Sequence, residues 1–134
     1  MTSTHSRIAT ALLLLRLSVF LVFLMWTLDK FVNPAHAAAV FENFYFIGGL
    51  GPVIFYILGF VELVILIGFL VGYQKTITYG IILILHGIST LSAFPQYLNP
   101  FENLLFFAAW PMLAACYALF SLRDLDTRWT VSQK

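Results

Sequence analysis

Four long apolar runs, at residues 8–28, 51–71, 77–94 and 104–122, constrain this chain more than any other feature of its sequence. Each is about 18–21 residues, or roughly 27–32 Å as an α-helix, enough to cross a bilayer core of about 30 Å. In hydrocarbon every backbone N–H and C=O must be bonded within the protein, and at this length a helix achieves that most simply. Composition agrees. Of the 134 residues, 61% are hydrophobic and 10% charged, whereas soluble domains carry about 25% charged residues. A chain this short has no interior able to hide so much apolar surface from water. The expected fold is all-α, an integral membrane four-helix bundle forming one domain over residues 1–134.

The net charge of +1 gives no reason to expect a nucleic-acid partner. Cys116 is the only cysteine, so neither an intrachain disulfide nor a CxxC pair can form, which removes thiol–disulfide membrane oxidoreductases. Arg7 before an apolar run and "AHA" at 35–37 imitate a signal peptide. The run is too long for a signal h-region, contains Arg16 and ends in Asp29-Lys30, so an uncleaved first span is expected. With four spans, both termini and the 72–76 turn share one side. That side holds Arg7, Lys75, Arg123, Arg128 and Lys134, while the other holds only Lys30. The positive-inside rule then places both termini in the cytoplasm. Trp26, Tyr45 and Tyr97 fall near the outer interface, and Tyr73 and Trp129 near the inner one, where aromatic belts form.

Two segments share a pattern. "VNPAHAAAVFENFYF" (32–46) and "LNPFENLLFF" (98–107) each carry N-P, then F-E-N, then aromatics, and each follows an odd-numbered span. The pattern predicts a parallel two-span repeat, with chance similarity of two helix starts as the alternative. Asn is a good N-cap and Pro suits the first helical position. Asn33 is therefore expected to open a short helix at the outer interface (about 33–46), ending near Gly48-Gly49-Leu50-Gly51-Pro52. Asn99, with Glu102 at capping-box spacing, is expected to open the fourth helix.

Arg16, Glu62 and His86 lie within spans. Counted from the inner ends of their runs, their depths agree within roughly 2 Å. An isolated charge at mid-bilayer costs about 2.5–3.5 kcal/mol on insertion scales. Pairing Arg16 with Glu62 on consecutive antiparallel helices, with His86 joining from the third, is the expected remedy. Tyr79, His86, Ser89, Thr90 and Ala93 follow helical spacing on one face of span three. On span four Ala108, Ala114, Ala115 and Ala118 permit close helix approach, Trp110 and Tyr117 share a face, and Pro111 is a candidate kink. The candidate ligand site is thus Arg16, Glu62, His86, Trp110 and Tyr117. The competing reading is that the Arg–Glu pair only fixes helix register. His5 and His36 fall near opposite membrane faces, so a bis-histidine haem within one chain is excluded, and no metal cluster, nucleophile triad or phosphate loop is visible.

The stretches "LLRLSVFLVFLMWTLDKF" (14–31) and "LGFVELVILIGFLVGYQKTITYGIILIL" (58–85) resemble the first three spans of the DoxX-like family of small four-helix bacterial membrane proteins. The likeness covers most of the chain, and Arg16 and Glu62 match the family's polar positions. The resemblance implies a bacterial inner-membrane bundle. Some relatives are subunits of a quinone-reducing, thiosulfate-oxidising complex, others are linked with oxidative-stress partners, and many have no assigned activity. The N-P…F-E-N segments and "FAAWPMLAACYAL" are not part of that pattern.

Three functions compete. A quinone-interacting accessory subunit of a redox system would bind a quinone ring at the polar cluster. The chain offers no electron carrier of its own, so a membrane or cytoplasmic redox partner is implied. A small transporter would need a second copy of the chain, because four short helices leave little room for alternating access. A non-catalytic scaffold would use the cluster only to specify its fold.

Overall fold

The computed structural model describes residues 3–131. These residues are helical throughout their ordered elements, and no strand occurs among them. Helix α1 runs Thr4–Val32, α2 Pro34–Tyr45, α3 Pro52–Leu70, α4 Lys75–Ser92, the single turn α5 Phe94–Tyr97, and α6 Ala109–Ser121. Short 3-10 turns at Pro100–Glu102 and Leu104–Ala108 lead into α6.

Local chemistry sets these limits. The Ser3 side chain accepts from the Ser6 N–H at 3.1 Å and caps α1. Pro34 disfavours helical geometry at the residue before it, and Asn33 stands at φ −142, ψ 70, so α1 stops there and α2 starts with Pro at its first position. Asn33 thus begins the expected short helix, though its side chain makes no cap bond. The α3–α4 turn needs the left-handed region at Gly72 (φ +68), and a Cβ there would lie 2.6 Å from Thr130 Cγ2.

The fourth helix departs from expectation. Asn99 opens only the turn Pro100–Glu102, without a side-chain cap bond, and the α-helix begins ten residues later at Ala109. Pro111 explains the placement. It sits in the first turn of α6, where a missing N–H costs no intrahelical bond, so it marks the start of the helix instead of kinking its interior.

Four long helices pack in a closed circuit: α1 on α3, α3 on α4, α4 on α6, and α6 back on α1. Arg16 reaches the Leu70 carbonyl and Lys30 reaches Glu62, which makes α1 and α3 antiparallel. On the other side His86 faces Ala109 and Thr76 faces Arg123, so α4 and α6 are antiparallel too. Both ends of the described chain lie together: Arg128 donates to Ser6 Oγ, and the Val131 N–H donates to the Val71 carbonyl. We call this the terminal end; the opposite end carries α2.

The tight core lies toward the terminal end. It joins Leu12 and Val19 of α1, Leu66 and Phe69 of α3, Tyr79 and Ile82 of α4, and Cys116 and Leu119 of α6. Inward positions follow helical spacing, as in Ala9, Leu12, Leu13, Arg16 and Val19 of α1. The exterior is apolar. Three segments, 4–32, 52–70 and 104–121, are long and apolar enough to cross a membrane. Only 22%, 22% and 11% of their most apolar windows are buried inside the protein. Large apolar side chains facing outward in such number are what a membrane protein presents to lipid.

Candidate functional site

The three ionisable groups expected to meet do not form one cluster. Arg16 is fully buried, but its partner is Asp126, in the segment after α6, and not Glu62. Its Nη1 donates to Asp126 Oδ1, its Nε to the Leu70 carbonyl at 3.0 Å, and its Nη2 to the carbonyls of Arg128 at 2.6 Å and Trp129 at 3.3 Å. Tyr79 donates to Asp126 Oδ2 at 2.6 Å. Lys75 Nζ donates to the carbonyls of Asp126 at 2.6 Å and Arg123 at 3.2 Å. Arg16, Lys75, Tyr79 and Asp126 are each at most 1% exposed. This cluster pins the segment after α6 against the terminal end and leaves no room for a ligand.

The reason for the mismatch is register. Glu62 stands level with Thr27 and Lys30, not with Arg16. Along α1 that is eleven residues from Arg16 to Thr27 and fourteen to Lys30, or about 17 and 21 Å at 1.5 Å per residue. Equal depth within each apolar run was the wrong measure, because α1 begins at Thr4 and α3 extends past the other end of α1. Glu62 pairs with Lys30 at 3.0 Å and lies 3.5 Å from the Thr27 hydroxyl. The pair is mostly covered, with side chains 11% and 23% exposed.

What the pair faces is a cavity of about 660 Å3 in the half of the molecule that carries α2. Lys30 and Glu62 form one part of its wall, His86 and Ser89 of α4 another, and Ala108 and Met112 close the α6 side. The roof is α2, through Phe41, Phe44 and Tyr45. Phe41 packs edge-on against Phe55 of α3, and Phe44 lies 6.1 Å from the Phe106 ring, so α2 is held down on both sides. The short helix after the first long one therefore covers a void. The size and the mainly apolar lining with a few polar groups are those of a small-molecule site.

His86 is the best-defined polar group of the cavity. It is 9% exposed, its Nε2 lies 2.9 Å from the Ala109 carbonyl oxygen, and Phe23 meets its ring edge-on. Nearby, the Thr90 hydroxyl donates to the His86 carbonyl at 2.7 Å, and the Tyr97 hydroxyl to the Thr90 carbonyl at 2.8 Å. Burial raises the pKa of Tyr97, which favours the protonated, donating form.

Of the five residues singled out from sequence, Glu62 and His86 line the cavity, and Arg16, Trp110 and Tyr117 do not. Trp110 and Tyr117 share a face of α6, but it is the outward one, where they are 43% and 62% exposed. Cys116 and Leu119 take the inward positions. Sequence reasoning missed Lys30 as the partner of Glu62, and Asp126, Lys75 and Tyr79 around Arg16. Tyr79 was visible as an inward residue. Asp126 carried no signal, since "LRDLDTRW" reads as a solvated tail.

No family model matches the chain, and neither a curated protein nor a solved structure shows significant similarity to it. The chemistry must therefore be read from the cavity itself: apolar and aromatic walls for a ring or chain, one compensated ion pair, one imidazole and a few hydroxyls.

Proposed function

We propose that this chain is a four-span protein of the bacterial inner membrane, with both termini in the cytoplasm, that binds a quinone-type ring in the cavity beneath α2. It would serve as the accessory membrane subunit of a redox system whose partner brings the electrons. In this reading α4 also crosses the membrane, as the third of the four spans. Its polar residues Thr78, Tyr79, His86 and Thr90 are buried, so they need not face lipid. The two halves, α1–α2–α3 and α4–α6 with their N-P…F-E-N connections, are then diverged copies of one unit. The resemblance of 14–31 and 58–85 to the DoxX-like family points the same way.

The cavity of about 660 Å3, lined by His86 and the Lys30–Glu62 pair among apolar walls, carries this proposal. A planar ring with polar edges needs apolar surface for its faces and a few hydrogen-bonding groups for its rim. Mass spectrometry of the organic extract of protein purified in mild detergent tests it. A near-equimolar quinone is expected from the native chain and should be lost from Ser89→Leu, which fills the cavity. Phospholipid alone in both extracts would favour a scaffold. Cysteines placed at Asn33 and Asn99 should label from the periplasmic side; labelling from the cytoplasm would reverse the topology.

The buried Arg16–Asp126 cluster favours a structural role for that arginine, independent of any ligand. A scaffold or small transporter without bound quinone remains the alternative for the chain as a whole.

A further inference from the structure

We infer that the cavity beneath α2 is entered sideways from the bilayer, through a gap between α1 and the Leu104–Ala108 turn, and that its ligand carries a hydrocarbon chain lying in this gap. The inference rests on the quinone-ring reading above and adds the chain and its route. In the circuit of long helices α1 and α6 are neighbours, and side chains of both belong to the core toward the terminal end. Among the described residues α1 packs on α2, α3 and α6, but not on the turns Phe94–Tyr97, Pro100–Glu102 and Leu104–Ala108 that precede α6. Side chains from both banks nevertheless line one cavity: Val22 and Trp26 from α1, and Leu105, Ala108 and Pro111 from the other. Leu105 is 89% exposed and Trp26 52%, so at these residues the cavity reaches the outside of the molecule. Trp26 also borders a small surface recess with Met25 and His36.

The surroundings of the gap say what can pass through it. From the α2 end the way in is covered, because Phe41 lies against Phe55 and Phe44 against Phe106. None of the five rim residues is ionisable, and all lie in two of the segments apolar enough to cross a membrane, Thr4–Val32 and Leu104–Ser121. In the four-span reading the gap therefore opens onto hydrocarbon, in the half of the bilayer nearer α2. A ring with polar groups finds partners deeper in, at His86 and the Lys30–Glu62 pair. A chain attached to that ring can leave between Val22, Leu105 and the single methyl of Ala108 without meeting water or an uncompensated charge. A tailed molecule dissolved in the bilayer is thus the ligand class that fits both the cavity and its mouth.

The test uses a benzoquinone bearing a decyl chain with a diazirine at mid-chain. It is photolysed with the native chain in phosphatidylcholine nanodiscs, with and without an excess of the unlabelled decyl quinone, and the labelled peptides are mapped by mass spectrometry. Label that the competitor suppresses is expected on the peptides carrying Val22 to Trp26 and Leu105 to Pro111. Ala108→Trp, which narrows the gap, should lose most of it. Suppressible label confined to α2, or to α3 and α4, overturns the inference while leaving the quinone-ring reading standing. Rim labelling unchanged in Ala108→Trp also overturns it, because the chain would then only graze that surface. If no label is suppressible anywhere, both readings fall. The native pattern decides by itself should the variant not fold.

Discussion

The two ends of the molecule each bury a pair of opposite charges, and they do so in opposite ways. Around Arg16 every nitrogen of the guanidinium is bonded, both oxygens of Asp126 are engaged, and the pair is wholly covered. Around Lys30 and Glu62 a single ion pair lines a void and is mostly but not wholly covered, with His86 holding one nitrogen to the protein. Closed and fully partnered charge resists change and fixes geometry. The Lys30–Glu62 charges compensate each other, and the pair keeps one side toward the cavity. The contrast separates a closed, fully bonded end from one that encloses a cavity.

The largest expected effect breaks the closed end. Asp126→Leu strands the Arg16 guanidinium in an apolar surround and should cost about 3–5 kcal/mol of stability. Arg16→Leu should cost a similar amount, and the double variant clearly less than the sum. Thermal unfolding in detergent across this cycle measures the coupling; additivity would show that the two groups do not hold each other. Next is Gly72→Ala, which puts a Cβ where φ is +68 and where Thr130 stands 2.6 Å away. It should destabilise by more than about 1 kcal/mol, read from the same melts, and should increase protease cleavage of the segment after α6. Glu62→Gln should cost about 1 kcal/mol, because the neutral amide oxygen still accepts from Lys30. A loss as large as that of Asp126→Leu would erase the distinction between the two ends. Smallest in stability is Ser89→Leu, expected within about 0.5 kcal/mol of the native chain, yet it should abolish retention of any ligand by filling the cavity. Unchanged ligand content would place the ligand elsewhere.

Several elements were legible before the structure was known. Pro34 after Asn33 and Pro52 after Gly51 mark helix starts whatever surrounds them, and helical spacing identified Tyr79, His86 and Thr90 as one face of α4. The second N-P segment shows where such signals stop. Asn99 has the right neighbours for a cap, but Pro111 and the packing of Phe106 and Phe107 beneath α2 and Tyr97 favour two tight turns ahead of α6. Trp110 and Tyr117 show a related limit: spacing says that two residues share a face, not which neighbour that face meets.

The sequence by itself determined that long apolar helices would form, because hydrocarbon leaves backbone groups no partner but their own helix. It also determined that Arg16, Glu62 and His86 would need partners, since burying charge or polarity alone is costly. Which partners they found was decided only by tertiary structure. Helix register sets the level of Glu62 to within a turn, and a shift of about 21 Å along α1 exchanges Arg16 for Lys30. The fold-back of residues 122–131 then delivers Asp126 to an arginine 110 positions earlier in the chain. Neither register nor fold-back is written in any local pattern, because both arise from how whole helix faces and chain ends meet.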